Sequence, residues 1–257
     1  VKGTPSQPPA SVQPGPPQDA AIDSSPNRPS ISADKNRSTA MRQAISAAMT
    51  RSNREIPHYY LASHIDLQAA SHWLSDYNRE HSPDQQILLT ALLHKAVALA
   101  LRGSPTLNGF FVKGQFQPAD EIHLGTAISL RSGGLITPAL RHADQLSLSE
   151  LMHKLQDLTL RVRQGGLRSS EMSGATVTLT AMGERGTETV YGVIYPPQVA
   201  IIGIGKPLLR PWVVNAEVQS RLLLNATLAA DHRVSDGRQG AKFLHTLNQL
   251  LQQPEGL

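Results

Sequence analysis

The 257-residue sequence contains no cysteine. That removes disulfides, thiolate metal ligands and cysteine nucleophiles from consideration, and it is compatible with a reducing compartment. Aromatic residues make up only 4% of the chain against 40% hydrophobic residues, so a core has to be assembled mainly from aliphatic side chains. No apolar run reaches the roughly 18 residues that span a bilayer. The N-terminus has no basic stretch followed by an apolar one, so neither a membrane partner nor a signal peptide is legible. The net charge of +4 suits an anionic small ligand. Its lysines and arginines are not clustered among aromatics, which argues against a nucleic-acid partner. The HExxH metal spacing, the GxSxG nucleophile elbow and the GxxxxGK phosphate loop are all missing, so no metal is expected. Gly203-x-Gly205 is too short for a dinucleotide fingerprint.

What is present divides into two parts. Eight of the 18 prolines fall within the first 29 residues. Residues 1–36, rich in Pro, Ala, Ser, Gln and Asp, are expected to form an extended disordered linker ahead of a domain over 37–257. The domain should open with a helix over Ser38–Met49, with Met41, Ile45, Ala48 and Met49 on one face. A strand is expected at Tyr59–Asp66, followed by helices at Leu67–Arg79 and Ile87–Leu101, the second apolar on most faces and therefore buried. Strands are then expected at Gly109–Val112, Glu121–Leu130 and Leu135–Leu140, the last two joined by a Gly133-Gly134 hairpin turn. Leu148–Arg163 reads as an amphipathic helix stopped by Gly165-Gly166. Strands at Thr176–Met182, Val199–Gly205 and 222–230 complete the pattern. Mixed strands, hairpins and helices predict an α+β fold rather than a regular βαβ series.

Without cysteine, catalysis would have to use histidine, hydroxyls, carboxylates, lysine or tyrosine. The best general-base candidate is His232, in Asp231-His232-Arg233-Val234-Ser235-Asp236-Gly237. A strand delivers it to a turn, and an amphipathic helix carrying Phe243, Leu244, Leu247, Leu250 and Leu251 follows. Asp236 could orient the imidazole or hold the turn. An isolated histidine at a strand end is more often an ordinary polar residue. His58 and His64 read as structural. Thr178 and Thr180 share one strand face, either as a polar outer surface or as hydroxyl donors to a developing negative charge.

Four stretches in order carry a family resemblance. Asp231–Gly237 resembles the DHRxxDG signature of the catalytic domain of 2-oxo acid dehydrogenase dihydrolipoamide acyltransferases. The segment Arg42–Tyr60, with Ile56-Pro57-His58-Tyr59-Tyr60, resembles that domain's opening. Residues 134–144 (GLITPALRHAD) resemble its GLxxPVxxxAD stretch, and residues 195–205 (YPPQVAIIGIG) its PPQxAILxxG segment. The resemblance covers roughly 38–257 and implies a chloramphenicol-acetyltransferase-like mixed sheet with flanking helices. It also implies homotrimers with the active site between subunits, and cages built from trimers.

The implied reaction moves an acyl group, acetyl by default, between dihydrolipoamide and coenzyme A. His232 would be the base, Thr180 the oxyanion donor, and Asp236 a structural residue paired with an arginine, for which Arg42 is the candidate. The family's oxyanion stretch has Phe and Asn where this chain has Val177 and Ala181. Neither a lipoyl domain nor a peripheral-subunit-binding domain is legible, so the lipoyl group is expected to come from outside these residues. Implied partners are lipoyl domains and the decarboxylase and dihydrolipoamide dehydrogenase subunits, in a bacterial cytoplasm or a mitochondrial matrix. A catalytically weak scaffold core is the alternative, and acyl transfer to another small acceptor, such as an antibiotic hydroxyl, is a third reading.

Overall fold

The computed structural model describes residues 31–130, 134–183 and 186–257, together with Gly3. The expected linker over 1–36 lies almost wholly outside the described residues. Helix α1 runs Ile31–Glu55, so the helix expected over Ser38–Met49 begins earlier and Ser38 sits inside it rather than at its start. Met41, Ile45, Ala48 and Met49 are half-buried along one face of α1, as their spacing predicts.

Strand β1 (His58–Asp66) follows, then α2 (Gln68–Glu80) and α3 (Leu89–Arg102). A β2–β3 hairpin (Gly109–Val112 and Gln115–Pro118) comes next, then the short strands β4 (Leu124–Thr126), β5 (Ile128–Ser129), β6 (Leu135–Ile136) and β7 (Ala139–Leu140). The predicted long strands at 121–130 and 135–140 are thus broken in two. β5 pairs with β6 as a separate ribbon, while β4 and β7 join the main sheet. Gly133 of the expected turn lies outside the described residues.

Helix α4 (Leu148–Gln164) begins with a Ser147–Glu150 capping box and ends at Gly165, whose φ of 75° is left-handed. The short α5 (Ser169–Met172) leads to β8 (Val177–Ala181), β9 (Ala200–Ile204), β10 (Leu208–Val214), β11 (Glu217–Asp231) and α6 (Gly237–Gln252).

The main sheet has the order β1-β11-β9-β8-β4-β7, with β10 also pairing with β11. β8 is parallel to both β4 and β9, and the remaining pairs are antiparallel. This is the mixed sheet of an α+β fold, as the sequence predicts. Strand alternation divides its central residues between two faces. On one, Val177, Leu179, Ala200, Ile202, Leu228 and Ala230 join the large core with α3, α4 and α6. On the other, Ile201 and Ala229 pack with Ile56 and Ile194. Ser52 near the end of α1 pins that second layer by donating to Ile194 O at 2.6 Å. No helix among the described residues is long and apolar enough to cross a membrane.

Helix α3 is buried nearly throughout, including His94 and Lys95. The Lys95 Nζ reaches the carbonyls of Asp144 and Leu146. His94 Nδ1 faces Thr90 O at 2.6 Å, whereas its Nε2 has no partner. Burial therefore lowers the His94 pKa from 6.5 to about 4. The unfolded chain takes up this proton before the folded one does. Stability should accordingly fall as pH drops from 6.5 towards 4, by roughly 3 kcal/mol in total. Denaturant titrations across that range should show the loss in the parent, and it should shrink in His94→Leu.

Candidate active site

Strand β11 and helix α6 define the turn that presents His232. Asp231 closes β11 opposite His58 of β1. It is completely buried, and its carboxylate binds Arg233 through both Nε and Nη2, at 2.9 and 2.6 Å. It also accepts the Arg233 backbone N–H at 3.0 Å. Charge-assisted pairing raises the Arg233 pKa further. The guanidinium lies 3.9 Å from the centroid of the Phe111 ring, from the β2–β3 hairpin. Asp231 O receives the N–H groups of Val234 and Ser235, at 3.0 Å each. The turn is thus wound around one buried residue, which leaves His232 exposed at its crest.

The His232 backbone N–H donates to Pro57 O at 2.9 Å. Its ring sits edge-on to Tyr59, with centroids 5.1 Å apart and planes at 63°. The Tyr59 hydroxyl is 2.9 Å from Ser235 Oγ. Burial raises the Tyr59 pKa, so the phenol stays protonated at neutral pH.

Asp236 is not paired with Arg42. Its carboxylate caps α6 by accepting the Gln239 N–H at 3.0 Å, and Gln239 Oε1 accepts the Asp236 N–H in return. This satisfies exposed helix-end donors at the place the chain turns away from His232. Arg42 is exposed on α1, nine residues before Arg51, so about 14 Å further from the end of α1 that approaches Arg233. The sequence contained the cap signal, Asp-x-x-Gln before an amphipathic run, and the expected charge pair took its place.

Thr178 and Thr180 do share one face of β8. Thr178 is buried and donates to Gln198 Oε1 at 2.7 Å. Thr180 is half-buried. Within one chain Thr180 and His232 are not brought together. Thr180 stands on the rung of Gly203 and Thr227, whereas Asp231 is four residues further along β11. That separates Thr180 from Asp231, the residue before His232, by about 13 Å along the strands and about 10 Å across two strand spacings. Thr180 also points away from the face that carries Tyr59, whose ring packs on the α6 side.

His58 is structural, as expected. Its Nε2 accepts the Ile194 N–H at 3.1 Å, and its Nδ1 donates to Ile56 O at 2.9 Å. Beside Arg233 lies a cavity of about 180 Å³ lined by Arg51, Glu55, Phe111, Lys113, Pro197 and Arg233. The contributions of Tyr59, Ser235 and Phe111 went unread in the sequence. Tyr59 and Ser235 stand inside the quoted motifs, but only tertiary contact pairs them.

One group of potential metal ligands occurs among the described residues: Glu121, His123 and His142, with ligand atoms within 4.8 Å of one another. The His142 N–H donates to His123 Nδ1 at 3.2 Å. The neutral His123 ring must then carry its proton on Nε2, which faces Glu121 Oε2 at 3.0 Å. The His142 Nδ1, by contrast, has no hydrogen-bond partner and stands 3.8 Å from Glu121 Oε1, so the hydrogen bonds join only the His142 backbone, the His123 ring and Glu121.

The family model of the 2-oxoacid dehydrogenases acyltransferase catalytic domain matches residues 32–257. One curated relative is the dihydrolipoyllysine-residue acetyltransferase component of the pyruvate dehydrogenase complex of Zymomonas mobilis. It is 34% identical over 218 residues, which cover 84% of this chain and 49% of that protein. The corresponding component of the acetoin cleaving system of Bacillus subtilis is 30% identical over 225 residues, covering 85% and 55%. The chain spans about half the length of the curated relatives it matches. Among solved structures, the dihydrolipoamide acetyltransferase of Azotobacter vinelandii superimposes with a TM-score of 0.79 at 26% identity, covering 95% of this chain and 99% of that one. A chloramphenicol acetyltransferase, 13% identical, matches the fold with a TM-score of 0.50 over 80% and 94%. The chain belongs to the 2-oxoacid dehydrogenase acyltransferase family, and residues 32–257 are its catalytic domain.

Proposed function

We propose that this domain transfers an acetyl group between dihydrolipoamide and coenzyme A as the core of a 2-oxo acid dehydrogenase complex, with His232 as the base. The observation that carries this reading is the Asp231–Arg233 turn, which fixes the backbone around an exposed imidazole beside Tyr59. The structural study of the Azotobacter vinelandii enzyme concerns a serine, a histidine and an asparagine in its catalytic mechanism. That serine precedes that histidine by the same interval that separates Thr180 from His232, and the asparagine follows by four residues, the position of Asp236.

In this mechanism His232 takes the proton of the coenzyme A thiol, since the thiolate is the nucleophile. Sulfur attacks the carbonyl of acetyl-dihydrolipoamide, and the oxygen becomes negatively charged. A threonine hydroxyl donates to that oxyanion. Collapse expels the dihydrolipoamide thiolate, which recovers the proton from the imidazolium. Asp236 acts at a distance, by capping the helix that ends the His232 turn. The reverse direction runs the same steps from acetyl-coenzyme A.

The separation of Thr180 and His232 supports a site assembled between subunits, with the oxyanion donor coming from the neighbouring copy. The β10–β11 hairpin supports association too. Leu209, Val213 and Val218 are 71, 66 and 74% exposed, and residues 217–222 of β11 pair only with β10. Such projecting apolar surface is usually covered by a partner. We take the assembly to be a homotrimer that can build into a larger cage. Lipoyl domains outside these residues would deliver the acyl group, and the decarboxylase and dihydrolipoamide dehydrogenase would act as partner subunits. The setting is the cytoplasm of a bacterium.

Assayed with acetyl-coenzyme A and free dihydrolipoamide, His232→Ala should lose about 100-fold or more in kcat. Thr180→Val should lose on the order of 100-fold, and Thr180→Ser should retain most activity. A His232→Ala protein as active as the parent would refute the assignment. Dilution or mild denaturant that yields folded monomers should abolish turnover, followed by light scattering and activity on the same samples. A fully active monomer would exclude the shared site.

A further inference from the structure

We infer that Tyr59 and Ser235 form a latch that sets the plane of the His232 imidazole. This rests on the reading of His232 as the base and adds two positioning residues to it. Tyr59 lies on β1, opposite Ala230 of β11, so its ring faces the same side as the strand residue two before His232. The imidazole edge meets that ring at 5.1 Å and 63°, the edge-to-face arrangement that aromatic pairs favour. Ring contact alone leaves a tyrosine free to swing about its χ angles, but here the far end is fixed. The Tyr59 hydroxyl meets Ser235 Oγ at 2.9 Å, and Ser235 is 5% exposed.

Ser235 in turn belongs to the backbone turn it stabilises. Its N–H donates to Asp231 O at 3.0 Å, so the latch closes a loop that starts at Asp231, passes His232 and returns through Tyr59. Helix α6 closes the remaining side. A Cβ added to Gly240 would lie 3.1 Å from Tyr59 Oη and 2.7 Å from Leu61 Cδ1, so the glycine lets the helix press against the tyrosine. The imidazole therefore has its backbone held by Pro57 O and its ring backed by a pinned aromatic wall, on a turn that is otherwise exposed. Tyr59 and Ser235 act through the His232 ring as positioning residues. Their effect is on how often the imidazole holds the orientation needed to accept a proton.

The test compares Tyr59→Phe, Ser235→Ala and the double variant with the parent and with His232→Ala in the acetyl-transfer assay. Each single variant loses the same hydroxyl pair. Each should lower kcat about 3- to 10-fold with KM for coenzyme A nearly unchanged. The double variant should be no worse than the worse single, because the pair acts as one unit. Ser235→Thr, which keeps the hydroxyl, should recover kcat relative to Ser235→Ala. Single variants within two-fold of the parent, alongside an inactive His232→Ala, would overturn the latch and leave the base assignment standing. A drop carried by KM, or by thermal stability alone with kcat intact, would also overturn it. A fully active His232→Ala would instead remove the reading on which the latch depends.

Discussion

The structure depends most on the pairing of β1 with β11. Nine consecutive rungs, from His58 opposite Asp231 to Asp66 opposite Leu223, join the first strand of the domain to its last. This ladder places Pro57 and Tyr59 beside the residue that follows the end of β11. Both are separated from His232 by most of the chain, and neither could hold an imidazole through local structure. Sequence-distant pairing of this kind costs loop-closure entropy, and the shared apolar core with α3 and α6 offsets it. The turn that carries His232 is therefore a consequence of closing the domain.

Around that ladder the site is organised by one buried charge. Asp231 is removed from water and is compensated by Arg233, whose guanidinium stacks on Phe111. Removing one partner of a buried pair leaves an uncompensated charge, which typically costs about 3–5 kcal/mol. Asp231 and Arg233 thus support the turn, whereas His232 between them stays exposed and available for proton transfer. Asp236 extends the same division by capping α6.

Much of the framework was legible from spacing. The buried helix α3, the amphipathic α4 with its glycine stop, and the apolar strand leading to His232 all follow from periodicity. β10 was not legible, because Pro211 interrupts Leu208–Val214 and the strand survives only at the sheet's margin. β3 is four largely polar residues whose pairing with β2 supplies what their own pattern lacks. The split of 121–130 and 135–140 into β4 to β7 likewise depends on which neighbour each half meets. His232 and Thr180 were found as residue types within motifs, but their separation in the chain needed the register of three strands. Asp236 was assigned a charge partner when the local cap to Gln239 was nearer and needed no tertiary contact. The Tyr59–Ser235 contact joins residues 176 positions apart, and no local pattern encodes it.

In the proposed site, His232 and Thr180 come from different copies of the chain. Co-expression of His232→Ala with Thr180→Val chains tests it directly, since mixed assemblies pair an intact histidine from one copy with an intact threonine from the next. Random mixing in a closed ring leaves about one quarter of the interfaces with both groups intact. Each mixed trimer has one such interface of three, so purified mixed trimers should show about one third of the parent's acetyl transfer, from two variants that are each nearly inactive alone. Mixed assemblies no more active than either variant would contradict it and place both groups in one chain.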